Sequence, residues 1–225
     1  MSAQQSANQI LDQQKIGTWL FAKSEQRIIR KIVPKIPHWI QTYHLTLLTV
    51  LWSGVIILSG WLGRGNIAWL WVSSLMIACQ YFTDILDGAL GRFRNTGLIK
   101  WGYYMDHFLD YLFFCSILIS YSLISSGYST YLLFFVMAVF GAYMVNTFLS
   151  CQATNKLKIG YFRIGPTEIR IAFIIINALI IFDQTYLKKT IPFVLAVSFI
   201  VLSIIVFRTQ RYIWKIDMAN KTTLK

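Results

Sequence analysis

Residues 84–110 read DILDGALGRFRNTGLIKWGYYMDHFLD and lie between two long apolar runs. Four of the nine acidic residues of the chain fall in this stretch. Asp84 and Asp87 are three residues apart, and Asp106 and Asp110 are four apart, so each pair lies on one face of a helix. Because the first pair ends one apolar run and the second begins the next, antiparallel packing would bring all four carboxylates together near one membrane surface.

Such a cluster needs positive charge. A single charged side chain inside a span costs about 2.5–3.5 kcal/mol on insertion scales. Divalent cations with a preference for oxygen supply counter-charge, and no His or Cys set accompanies the cluster as zinc would require. We therefore predict Mg²⁺ or Mn²⁺, as a pair of ions suited to phosphoryl chemistry. Helix capping or pairing with loop arginines is the alternative, but it accounts for only one or two of the four.

Three of the four glycines and one of the two arginines in the stretch support phosphate chemistry. Gly88, Gly91 and Gly102 allow a phosphate or a metal to approach the backbone closely. Arg92 is placed to pair with phosphate oxygens. The local chemistry indicates metal-assisted attack at phosphorus, with one carboxylate acting as general base.

The rest of the chain has the composition of a polytopic membrane protein. Hydrophobic residues make up 56% of it and charged residues only 13%, with a mean hydropathy of +0.54. A soluble domain usually carries about twice that charged fraction. We predict an all-α integral membrane protein with six transmembrane helices, each long enough for a hydrocarbon core of about 30 Å. The predicted spans are 45–62, 67–86, 103–125, 130–151, 168–186 and 191–207.

The predicted organisation has three parts. Residues 1–40 form a cytosolic and interfacial N-terminal segment, 41–210 the six-helix catalytic domain, and 211–225 a cytosolic C-terminal tail. The mixture of apolar and basic residues at 28–37 predicts an amphipathic helix on the membrane surface. No secretory signal peptide is recognisable, so the first span is expected to direct insertion.

The basic residues predict the orientation. The net charge is +12, and in this topology 18 of the 21 Lys and Arg residues lie on the side of the termini and of the polar loops 87–102 and 152–167. The positive-inside rule then places both termini and the active site in the cytosol, at the cell (inner) membrane. Because the basic residues are divided among short loops, nucleic-acid binding is not expected. The three cysteines show no CxxC spacing and are interpreted as packing residues.

The acidic stretch resembles the signature of the CDP-alcohol phosphotransferase (CDP-alcohol phosphatidyltransferase) family, Asp-x2-Asp-Gly-x2-Ala-Arg-x8-Gly-x3-Asp-x3-Asp. All four Asp, both family glycines and the Arg have counterparts. Two departures exist: Gly91 stands where the family usually has Ala, and nine residues, not eight, separate Arg92 from Gly102. At the entry to span one, Thr46 matches the family, whereas Tyr43 replaces an Asn.

The resemblance implies roles for these residues. Metal binding is implied for Asp84, Asp87, Asp106 and Asp110, and contact with the CDP moiety for Gly88, Arg92 and Gly102. Asp110 would also be the general base on the acceptor hydroxyl, with CMP leaving. The implied partners are a CDP-linked donor, a lipid or polar alcohol acceptor, membrane lipids and a second copy of the chain in a homodimer.

Further signals bear on the substrate. His107 gives an Asp-His-x2-Asp pattern, and Pro166-Thr167-Glu168 opens span five; both resemble the choline/ethanolamine phosphotransferase branch. They favour a donor of the CDP-choline or CDP-ethanolamine type and a diacylglycerol-like acceptor. The alternative is CDP-diacylglycerol with a polar alcohol of the glycerol phosphate or inositol type. The candidate substrate residues are His107, Glu168, Lys156 and Arg163.

The basic residues near span five have two interpretations. They could bind a phosphate on the acceptor or anchor the loop to anionic lipid, and anchoring is favoured. This set comprises Lys156, Lys158, Arg163 and Arg170.

Two other classes of function are alternatives for such a membrane protein. A cation-coupled transporter could use the four Asp residues as an ion path, but transporter sites usually lie at the midplane between repeated halves. This chain has one acidic cluster at a span end and no internal repeat. A non-catalytic membrane scaffold would not need four carboxylates.

Overall fold

A computed structural model describes residues 22–96, 98–154 and 166–223, and this part of the chain is all-helical. Each of the six predicted spans lies largely within one helix, and a further helix precedes them. Short 3₁₀ turns occur at Val33–Lys35 and Ile67–Trp69. The α-helices are α1 Ala22–Ile32, α2 Thr42–Gly63, α3 Leu70–Arg94, α4 Ile99–Ile124, α5 Tyr128–Thr154, α6 Pro166–Phe182 and α7 Tyr186–Thr223.

Four of the described helices are long and apolar enough to cross a membrane. They are α2, α4, α5 and the Tyr186–Ala219 part of α7. Helix α6 has only 17 residues, and polar side chains such as Gln80 and Asp84 interrupt the apolar run of α3. The predicted all-α membrane class is thus confirmed with four helices of spanning length, while six crossings stay a prediction.

The acidic stretch is more helical than expected. We predicted a loop over 87–102, but α3 continues to Arg94 and α4 begins at Ile99. The helix stops where Asn95 adopts a left-handed conformation (φ 50°, ψ 48°), which Asn tolerates better than most residues. The next amide, of Thr96, donates to the carbonyl of Gly91 at 3.2 Å. The polar character of this region therefore reflects a functional helix face and not a loop.

The last helix extends beyond the last predicted span. It continues to Thr223, so the described part of the predicted C-terminal tail is helical, and its place in the cytosol stays a prediction.

Helices α2 and α4 are in unusually close contact. A Cβ atom built on Gly60 would lie 2.5 Å from Ser120 Oγ and 2.6 Å from Ser120 Cα. Because backbone cannot yield as a flexible side chain can, only glycine fits at this crossing. Apolar side chains from α2, α3 and α4, including Ile56, Ile77 and Ile117, fill the adjoining core.

Helix α6 is fixed to this core by a buried polar side chain. Asn177 is fully buried; its Oδ1 accepts the Tyr121 hydroxyl at 2.7 Å, and its Nδ2 donates to Ser74 Oγ at 3.0 Å. An unsatisfied amide in apolar surroundings would be costly, so these bonds specify how α6 sits against α3 and α4.

The N-terminal segment packs onto one end of the bundle. Of the predicted amphipathic helix, residues 28–32 lie in α1 and the chain turns at Val33–Lys35, while its location at the membrane surface stays a prediction. Arg94, at the end of α3, donates to the carbonyls of Ile36 at 2.6 Å and Ile40 at 2.5 Å. The segment after α1 is thereby held against the end of the helix that carries the first two Asp residues.

The glycine contacts predict opposite results for two Gly→Ala substitutions. Gly60→Ala should lower the thermal unfolding midpoint in detergent by several degrees, since α2 and α4 must separate. Gly91→Ala should be tolerated or slightly stabilising, because its Cβ would lie 3.4 Å from Thr42 Oγ1 and alanine favours a helix interior by up to about 1 kcal/mol. Equal midpoints for the two variants would contradict this account of the α2–α4 crossing.

Candidate metal centre

Helices α3 and α4 bring three carboxylates to one place. Asp84 lies on α3, and Asp106 and Asp110 lie one turn apart on α4. Each of the three offers a carboxylate oxygen within 4.8 Å of the other two. The two halves of the acidic stretch therefore meet, as antiparallel packing predicts.

Asp87, the fourth carboxylate, is buried beside this group and is held by α2. Its Oδ2 accepts the hydroxyl of Thr46 at 2.8 Å, and its Oδ1 accepts the backbone N–H of Gly88. Thr46 also approaches the carbonyl of Thr42 at 3.1 Å. Thr46 is the residue that matches the family pattern at the entry to span one. In the structure it contributes a hydroxyl from α2 that orients one carboxylate.

The sequence did not lead us to expect Arg170 in this cluster. Its side chain is buried, with 6% of the residue exposed, and its Nη2 donates to Asp84 Oδ2 at 2.9 Å and to Asp110 Oδ1 at 3.0 Å. Its Nε donates to Gln80 Oε1 at 2.6 Å. The prediction that Arg170 anchors a loop to lipid is therefore wrong. An arginine just inside an apolar span needs an acidic partner. The position of Arg170 in the sequence could therefore have indicated that it pairs with the Asp cluster.

A second polar cluster lies beside the first. Glu25 of α1 is buried and accepts the hydroxyls of Thr167 at 2.6 Å and Tyr81 at 3.3 Å. Thr167 precedes Arg170 by three residues on α6, and Tyr81 follows Gln80 on α3. No local pattern in the sequence indicates a role for Glu25, because these two partners are 56 and 142 residues away.

The donor atoms fit magnesium or manganese. All are carboxylate oxygens, the hard ligands that these ions prefer. One guanidinium offsets one of the four carboxylates, so the remaining negative charge still calls for divalent cations. Asp84, Asp106 and Asp110 are placed to share an ion, and Asp87 is placed on the adjoining turn of α3.

The residues expected to contact CDP lie around this cluster. A Cβ atom at Gly88 would lie 3.5 Å from Arg92 Nη1, so the guanidinium passes alongside this glycine. Nothing in the described structure lies within 4 Å of a Cβ built on Gly102. Helix packing therefore does not require a glycine there, and the open space adjoins the α4 turn that leads to Asp106.

The candidate substrate residues have different surroundings. His107 packs between the rings of Tyr103 and Phe148, at centroid distances of 4.4 and 5.5 Å, and its Nδ1 is 3.2 Å from Asp106 Oδ2. Glu168 is half-buried on the first turn of α6. Lys156, Lys158 and Arg163 lie outside the described residues.

The comparison with protein families agrees with this site. The sequence model described as CDP-alcohol phosphatidyltransferase matches residues 35–209, more than three quarters of the chain. No curated protein sequence matches the chain significantly. The matched region contains every carboxylate of the cluster together with Thr46 and Arg170, so the transporter and scaffold alternatives are set aside. The chain belongs to the CDP-alcohol phosphatidyltransferase family and is an enzyme with that activity in phospholipid synthesis.

Proposed function

We propose that the enzyme transfers a phosphoalcohol group from a CDP-choline or CDP-ethanolamine type of donor to a diacylglycerol-like hydroxyl. The activity itself follows from the family; the choice of donor and acceptor is the proposal. The observation that supports it is His107 of the Asp-His-x2-Asp pattern, which lies against Asp106 and packs at a tilt against two aromatic rings at the edge of the metal centre. Transfer from CDP-diacylglycerol to a polar alcohol is the alternative. The proposal includes a homodimer.

The residues of the centre have different roles in the proposed reaction. We assign Asp84, Asp87 and Asp106 to hold a divalent pair, with Asp110 as a shared ligand. When bound, such ions polarise the diphosphate of the donor and offset its charge. Gly88, Arg92 and Gly102 border the space assigned to the CDP moiety, where the Arg92 guanidinium can donate to phosphate oxygens.

Asp110 is assigned as the general base. Its Oδ1 accepts hydrogen bonds from Arg170 Nη2 at 3.0 Å and from Gln80 Nε2 at 3.4 Å. These two contacts fix the plane of the carboxylate and therefore the direction of its other oxygen. That oxygen accepts the proton of the acceptor hydroxyl as the acceptor oxygen bonds to the phosphorus that carries the alcohol. The bond from that phosphorus to the oxygen of CMP breaks, and CMP leaves with the electron pair.

A crossed panel of substrates tests the choice of donor. Purified enzyme with Mg²⁺ or Mn²⁺ is given CDP-choline, CDP-ethanolamine or CDP-diacylglycerol, each with diacylglycerol, glycerol phosphate or inositol, and CMP release is measured. We expect release with the first two donors only when diacylglycerol is present. Release confined to CDP-diacylglycerol and a polar alcohol would instead establish the alternative.

Substitution of the base separates chemistry from binding. Asp110→Asn should lower kcat at saturating Mn²⁺ by about 10²–10⁴-fold, the usual contribution of general base catalysis. Binding of Mn²⁺ should weaken by about tenfold, because one charged ligand is lost, while binding of the CDP donor changes only several-fold. Asp183→Asn, in the exposed connection between α6 and α7, is the matched control and should behave as wild type. Near-wild-type turnover by Asp110→Asn would remove Asp110 as the base.

The proposed topology has six crossings, with both termini and the metal centre in the cytosol. It is supported by the charge distribution and by the packing of α3 and α6 against the long apolar helices. In a variant without the three native cysteines, Asn66→Cys should react with a membrane-impermeant maleimide added to intact cells. Thr96→Cys should react only after lysis. Labelling of Thr96→Cys in intact cells would show that the orientation is opposite to the proposed one.

A further inference from the structure

Arg170 places a positive charge inside the site that we assign to divalent cations. It is buried on α6, and one nitrogen, Nη2, donates to both Asp84 and Asp110. Those two carboxylates also belong to the group of three that could share an ion. A guanidinium and a divalent cation are therefore neighbours on the same ligands.

The arginine is held in this position by contacts other than the carboxylates. Its Nε donates to Gln80 at 2.6 Å. One turn earlier on α6, the Thr167 hydroxyl donates to Glu25 at 2.6 Å, and Tyr81 donates to the same carboxylate oxygen at 3.3 Å. The start of α6 is thus tied both to α1 and to α3, and Arg170 belongs to the fixed frame of the site.

These contacts have two consequences that act in opposite directions. A fixed positive charge next to a cation site opposes cation binding by Coulomb repulsion. The same guanidinium, together with Gln80, fixes Asp110 Oδ1 and so sets the direction of the remaining carboxylate oxygen. Preorganised orientation of a base favours turnover.

We propose that Arg170 is a permanent internal cation of the metal centre, a positioning residue that orients Asp84 and Asp110 while weakening the affinity of the site for divalent ions. This role rests on the proposed metal centre. It distinguishes Arg170 from a lipid anchor, which would be exposed, and from a residue needed only for folding, whose loss would weaken metal binding and turnover together.

The test compares Arg170→Gln and Arg170→Lys in the full chain, in detergent micelles. Binding of Mn²⁺ without substrate is measured from the loss of the free-ion electron paramagnetic resonance signal. Arg170→Gln should bind Mn²⁺ about tenfold more tightly, as expected when one unit charge a few Å away is removed. At saturating Mn²⁺ its kcat should nevertheless fall by about 10²-fold, with KM for the CDP donor within about threefold of wild type.

Arg170→Lys keeps the charge but not the planar fork. Its Mn²⁺ affinity should stay within about threefold of wild type, and its kcat should exceed that of Arg170→Gln by about fivefold or more while remaining below wild type. Arg94→Gln is the matched control: it makes the same exchange at an arginine that donates only to backbone carbonyls in the described structure. Its Mn²⁺ affinity should equal that of wild type.

Unchanged or weaker Mn²⁺ binding by folded Arg170→Gln overturns the proposal. If Arg170→Gln fails to fold, Arg170→Lys provides the test. A kcat of Arg170→Lys equal to that of wild type, or an Mn²⁺ affinity changed more than tenfold, overturns the proposal. Wild-type enzyme that binds no Mn²⁺ refutes the metal centre of the proposed function instead, which keeps the two failures distinct.

Discussion

The mutual repulsion of four carboxylates in a low-dielectric environment is the constraint on which this structure depends. Asp84, Asp87, Asp106 and Asp110 would not stay ionised together among apolar helices without compensation. The protein supplies part of it through Arg170, whose guanidinium contacts Asp84 and Asp110, and through the Thr46 hydroxyl on Asp87. The charge that remains is what makes the site a receptor for divalent ions and, through them, for a diphosphate.

Five of the described helices contribute side chains to the centre or to its support. Helices α3 and α4 carry the carboxylates, α2 brings the Thr46 hydroxyl, and α6 brings the guanidinium. Helix α1, which precedes the membrane-spanning region, contributes Glu25 to the hydrogen bonds that hold the start of α6. The centre is therefore assembled from parts of the chain that are distant in sequence.

The sequence predicted the parts of this arrangement that depend on local pattern. Apolar run length located the helices α2 to α7, and the i,i+3 and i,i+4 spacing of the Asp residues correctly brought Asp84, Asp106 and Asp110 together. It missed Arg170, Gln80 and Glu25, because their partners lie 30 to 142 residues away and no periodicity encodes such pairings.

The error over residues 87–102 has a different cause. Polar residues were interpreted as a loop, although they are the polar face of helices that turn toward the site. A chain that keeps function inside a membrane places polar side chains on helices, so polarity alone is a poor guide to where such a helix ends.

The contact between Gly60 and Ser120 has a mechanical consequence. Where two backbones touch without side chains between them, there is little room for either helix to slide or tilt, so we expect α2 and α4 to move together. This pair carries Thr46 as well as Asp106 and Asp110. Any opening of the centre to admit a lipid must then come from its other walls. Helix α6 is not such a wall, because Arg170 binds it to Gln80 of α3, Asn177 binds it to Ser74 of α3, and Ile180 is buried in the core.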